Sequence, residues 1–184
     1  MNVTNKSSAF FGDPFDEKIF EILSFKTHRV DDFTFASPNT WTDIEFDLKI
    51  TDECIGEIDY YNAGEVDEDK SIIVIKDSDR IFHVNGCTHP EFTGAGNATV
   101  IVASRVMFSY DKGLNWTEAR CLQSNTELIR QANEVGTQHY LGTIKSDGET
   151  WLKLQARVSN TDMIFSGWAT FDNPVAATMT VTTI

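Results

Sequence analysis

Residues 44–50 read IEFDLKI, and the alternation in that heptad decides the class of fold. Successive side chains of an extended chain point to opposite faces. Ile44, Phe46, Leu48 and Ile50 therefore share one side, and Glu45, Asp47 and Lys49 share the other. A helix would scatter the four apolar residues around its circumference. One apolar and one charged face is what an antiparallel strand with a single buried side requires.

Downstream the same period recurs in short runs: EIDYY (57–61), SIIVIK (71–76), RIFHV (80–84), ATVIVASRVMFS (98–109), WTEARCL (116–122), HYLGTI (139–144), WLKLQARV (151–158), MIFSGWATF (163–171) and TMTVTTI (178–184). Turns rich in Gly, Asp, Asn and Ser separate them. The segment NTELIRQANEV (125–135) lacks the pattern and reads as a loop. With no alternation of strands and helices, the expected fold is all-β, an antiparallel two-sheet jelly-roll sandwich. Residues 1–31 differ. They are polar at the start and hold DEKIFEILSF (16–25), whose Ile19, Ile22 and Leu23 fit one helical face. The expected organisation is an N-terminal arm with a short helix over 1–31, then a β domain over 32–184.

Several runs are apolar on both sides, as with Ile72 and Val74 against Ile73 and Ile75, and Val100 and Val102 against Ile101 and Ala103. In a small sandwich this predicts an outer strand face that meets another subunit.

The chain carries 28 acidic and 15 basic residues, a formal net charge of −13, so nucleic acid is not an expected partner. No stretch approaches the roughly 18 apolar residues of a membrane span, and the first residues lack the apolar middle of a signal peptide. The expected protein is soluble and made in a cytoplasm. Cys54, Cys87 and Cys121 are odd in number and widely spaced, which predicts reduced thiols.

Residues 109–116, SYDKGLNW, have the pattern Ser-x-Asp-x-Gly-x-x-Trp. It is similar to the Asp-box of sialidases and other β-propellers. Asp111 is placed to bond nearby amides, Gly113 to take a positive φ, and Trp116 to pack beneath the loop. A related phrase, SDGETW, spans 146–151. At roughly 40 to 50 residues per blade, only three or four blades would fit, so a sialidase propeller is excluded. Tyr60 and Tyr61 beside Glu57 are neighbours in a strand and not a nucleophile with its base. The box is a structural hairpin.

Two clusters have metal-ligand chemistry. His83, Cys87 and His89 lie in HVNGCTHP (83–90), but no further histidine or cysteine completes a zinc spacing. Glu65–Asp69 is an acidic loop without the alternating ligands and glycine of an EF-hand, and calcium there stays open. No nucleophile elbow or phosphate loop is present. No catalytic, cofactor-binding or metal-ligating residue is assigned, and no cofactor is expected.

The succession FTFASPNTWTDIEFDL, GEIDYYNAG, SIIVIKDSDRIFHVNGCTHP, NATVIVASRVMFSYDKG, QHYLGTIKSDGETWLKLQARVSN and TMTVTTI resembles the TNF/C1q-like jelly roll, in the versions found in bacteriophage virion proteins. The resemblance covers about residues 32 to 184. It implies a homotrimer and a non-enzymatic structural role, decorating or cementing a capsid by binding virion proteins such as the major capsid protein through the N-terminal arm. It also implies location in the virion after synthesis in a bacterial cytoplasm. A receptor- or glycan-binding tip of a head or tail fibre, with loop aromatics stacking on host surface sugars, is the alternative. Weaker is a carbohydrate-active enzyme, which would need two carboxylates facing each other at roughly 5 to 9.5 Å.

Overall fold

The computed structural model describes residues 24–29, 31–46, 48–50, 64–66, 71–76, 79–96, 98–123, 126–129, 135–167, 169–170, 173–174 and 176–183. Among them the only regular elements are strands, paired in antiparallel sheets. They are β1 (Ser24–Arg29), β2 (Phe33–Thr34), β3 (Thr42–Asp43), β4 (Leu48–Ile50), β5 (Gly64–Val66), β6 (Ile73–Ile75), β7 (Ile81–Thr88), β8 (Pro90–Phe92) and β9 (Val100–Ser109). There follow β10 (Thr117–Glu118), β11 (Arg120–Gln123), β12 (Thr126–Ile129), β13 (Gln138–Lys145), β14 (Thr150–Val158), β15 (Met163–Phe165), β16 (Ala169–Thr170), β17 (Asn173–Pro174) and β18 (Ala177–Thr183).

One sheet has six strands in the order β11-β13-β7-β18-β1-β4. The other runs β10-β9-β14-β6-β5, with β12 on β9 and β3 on β14. The pairings nest: β1 with β18, β6 with β14, β7 with β13, and β9 with β12. Three short strands, β2-β15-β8, form a smaller sheet around the edge-to-face rings of Phe33, Phe35 and Phe165.

Period two is clearest in β13, where Gln138, Tyr140, Gly142 and Ile144 are buried and the alternating His139, Leu141, Thr143 and Lys145 exposed. The inward residues of both sheets make one core, with Phe46, Phe82, Phe92, Phe165, Leu152 and Leu154 fully enclosed. A polar bridge crosses it. Ser104 Oγ of β9 donates to Gln138 Oε1 of β13 at 2.6 Å, and Gln138 Nε2 returns a bond to the Val102 carbonyl at 3.1 Å. A buried amide left without partners would be costly, so this pairing fixes how the two sheets face each other.

Gly86 in β7 has no side chain for a spatial reason. A Cβ there would collide with the Thr178 carbonyl and the Tyr140 ring. The Tyr140 hydroxyl passes over this position to donate to the Thr178 carbonyl.

Several expectations change. IEFDLKI is not one strand: Thr42–Asp43 joins β14 in the larger sheet, while Leu48–Ile50 joins β1 in the other. Ile44 and Phe46 are still buried and Glu45 exposed, because the segment crosses from sheet to sheet with its apolar side on the shared core. Within the expected loop 125–135, Thr126–Ile129 is a strand on β9, held by backbone pairing that needs no alternation in sequence. Ser24–Arg29, inside the segment expected to be an arm, is a strand flanked by β18 and β4, so the sheet begins before residue 32. The proposed helix face at Ile19, Ile22 and Leu23 and the EIDYY run lie outside the described residues. Val74 is only 8% exposed within the single chain, so the second side of β6 needs no neighbouring subunit to leave water. Ile101, at 46%, does remain exposed.

Candidate functional site

The long strands β9 and β14 run side by side over eight residue pairs, from Trp151 beside Ser109 to Val158 beside Val102. This register sets Gln155 beside Arg105 and Lys153 beside Met107, all on the outward side, and β3 adds Asp43 beside Gln155. Arg105 donates through Nε and Nη2 to Gln155 Oε1 at 2.9 and 2.8 Å. Gln155 Nε2 donates to Asp43 Oδ1 at 2.7 Å, and Lys153 Nζ reaches Asp43 Oδ2 at 3.0 Å. Arg105 also approaches Glu118 at 3.5 Å.

Tryptophans roof this network. The Arg105 and Arg157 guanidinium groups lie 4.1 and 4.8 Å from the Trp41 ring, and Lys153 Nζ lies 4.2 Å from the Trp116 ring. Trp151 Nε1 donates to Glu149 at 2.7 Å, which draws the Glu149 carboxyl below its usual range, and Lys112 pairs with Glu149 at 3.5 Å. Three cations in an acidic chain thus gather on two tryptophans, with Trp151 held beside them through Glu149. The face offers aromatic surface, guanidinium donors and a carboxylate, a donor set suited to sugars or other polar rings. The Trp41 and Trp116 rings are nonetheless already stacked with cations.

The 109–116 turn is built as its sequence predicts. Ser109 Oγ donates to Asp111 Oδ1 at 2.7 Å and accepts from the Gly113 amide at 2.9 Å. Asp111 Oδ1 accepts from the Asn115 amide at 2.8 Å, and Oδ2 from Asn115 Nδ2 at 2.6 Å. These bonds, first Ser109 and then Asn115, lower the Asp111 carboxyl to about 2. Lys112 and Gly113 take positive φ of 56° and 82°. The related turn, with Gly148 at φ 66°, lies against the first: Gly113 faces both Trp116 and Trp151. Both turns sit at the end of the sandwich where Ser24 pairs with Thr182.

The HVNGCTHP group is divided. His83 points outward from β7 beside Thr143, 3.2 Å away, four residues and about 13 Å along the strand from Cys87. Cys87 and His89 remain together, Sγ to Nε2 3.7 Å, and register brings His139 opposite Cys87. Among the described residues no group of three or more His, Cys, Asp or Glu is arranged to hold a metal ion. Of the acidic loop, Glu65 pairs with Val74 in the sheet edge, and residues 67–69 lie outside the described residues. Asp43, Arg105, Gln155 and Arg157 were invisible as a group in the sequence, since pairs such as Gln155 and Asp43 are 112 positions apart. Only the outward phase of 151, 153, 155 and 157 in their strand hinted at them.

Among the described residues no helix is long and apolar enough to cross a membrane. Comparison with known protein families and with curated proteins finds no match for the chain.

Proposed function

We propose that the chain is a non-enzymatic structural protein of a bacteriophage virion, a trimeric jelly roll that decorates or cements a capsid through the segment preceding Ser24. The nested pairing of β1 with β18, β6 with β14, β7 with β13 and β9 with β12 supports the jelly-roll reading. Support for attachment comes from one observation. The root of the N-terminal segment, β1, lies between β18 and β4, so a load on that segment would be carried directly into the sheet. Three tethers on one trimer would convert a small contact into multivalent attachment.

Deleting residues 1–23, which leaves β1 intact, is expected to give a folded trimer by light scattering that no longer joins particles. Retained decoration would sink the tether reading, and a stable monomer in the full-length protein would sink the trimer. The same weighing with and without a calcium chelator tests the 65–69 loop.

A glycan-binding reading draws on Trp41, Trp116 and Trp151 sharing one side of the molecule. The cations stacked on two of those rings count against it, as does the position of the 109–116 turn at the end where Ser24 lies. Trp41→Ala with unchanged host adsorption would remove it.

A further inference from the structure

Cys87 lies on the outward side of the six-stranded sheet, half-buried, and carries a free thiol. Its Sγ is 3.7 Å from His89 Nε2 and 3.4 Å from Thr178 Oγ1. On the far side of the imidazole, Nδ1 is 3.3 Å from Thr137 Oγ1, and the ring also bonds to the Gly136 backbone. In the tautomer with its proton on Nδ1, that proton faces Thr137 Oγ1. The Nε2 lone pair is then left for the thiol. Nucleophile, base and a third group that orients the base are thus present in sequence.

The surroundings keep that base neutral. Burial pushes the His89 imidazole below its ordinary value of 6.5, and His139, opposite Cys87 on β13, acts in the same direction. On the other flank β18 presents Thr178, whose backbone register partner on β1 is His28. Tyr140, on the neighbouring position of β13, has its phenol pushed up by burial and by Cys87, so it stays protonated.

We propose that Cys87 and His89, oriented by Gly136 and Thr137, form a nucleophilic thiol site that takes low-molecular-weight disulfides in reversible mixed-disulfide exchange. The Cys87 S–H proton passes to His89 Nε2 as Sγ attacks one sulfur of the disulfide. A new S–S bond forms, the old one breaks, and the departing thiolate takes the proton from His89 to leave as a thiol. No other oxidant is required, since the incoming disulfide is the species reduced. The site does not depend on the virion reading.

The test is reaction of the full-length protein with oxidised glutathione from about pH 5.5 to about 9, scoring the mixed disulfide on the Cys87 peptide alone by mass spectrometry. The wild type is expected to react well below the ordinary thiol range of about 8.5, following the imidazole titration. His89→Asn, which keeps a donor toward Gly136 but lacks the base, is expected to lower the rate near pH 7 by about tenfold or more, with partial recovery in added imidazole. Equal rates for both proteins across the range would overturn the proposal. If the variant fails to fold, the wild-type profile decides alone: a single rise near about 8.5 overturns it as well.

Discussion

On the outward side of the seven-stranded sheet the side chains are long, and they satisfy one another. Arg105 spans from Gln155 to Glu118 and lies over Trp41, while Lys153 reaches from Asp43 to Trp116. The outward side of the six-stranded sheet carries Thr178, Thr180 and Thr182 of β18 next to His83, Asn85 and Cys87 of β7. Short hydroxyl side chains reach only their nearest neighbours, as Thr178 does with Cys87 and Thr143 with His83. The same alternation in sequence thus produces one face whose chemistry is used up internally and one that leaves small reactive groups individually addressable. An outward polar position specifies exposure, and only the lengths of its neighbours decide which kind of face results.

That contrast can be broken first beneath the six-stranded sheet. Gly86→Ala is expected to cost about 3 kcal/mol or more in denaturant unfolding, because the backbone carbonyl of Thr178 cannot move aside for a methyl group. A change under about 0.5 kcal/mol would mean that Tyr140 does not cross at this point. On the opposite face, Trp41→Ala removes the surface on which two guanidinium groups rest, and a loss of about 1 to 2 kcal/mol is expected. Asp43→Asn should cost less, about 0.5 to 1 kcal/mol, since Asp43 is partly exposed and the amide still accepts one bond. That difference should shrink in high salt. A salt-independent loss would show that packing, not charge, is what Asp43 contributes.

The smallest expected effect is local and acid-driven. Asp111 is lowered from 3.8 to about 2, so its bonds stabilise the turn fully above the ordinary value. As pH falls from about 4 through about 2, protonation should release the Asn115 amide and alter Trp116 fluorescence. Asp111→Asn should abolish that transition. A wild-type signal flat over this range would remove the assigned cause of the shift.

The turn at 109–116 was legible because every bond that shapes it lies within four residues. The strands β13 and β14 were legible because each has one wet side. IEFDLKI was misread as a single strand since burial of Ile44 and Phe46 is the same whichever sheet the flanking residues join. Thr126–Ile129 gave no pattern to read, and its pairing depends on where β9 lies. The Trp41 network, and the contacts of Thr178 with Cys87 and of Thr137 with His89, were beyond sequence reasoning for a related reason. Period two gives the side of a strand, while partner identity depends on register between strands far apart in the chain, and only the adjacency of 87 and 89 was visible in advance.

The position of β18 has a consequence for biosynthesis. It is an interior strand, with β7 on one side and β1 on the other, although it is drawn from residues 177–183. While translation is under way, β1 and β7 therefore each wait with an open edge, and neither is completed until residue 183 has cleared the ribosomal tunnel. Folding of the six-stranded sheet is thereby postponed to release of this segment, and a nascent chain stalled short of it would expose two strand edges to pairing with its neighbours on the same polysome.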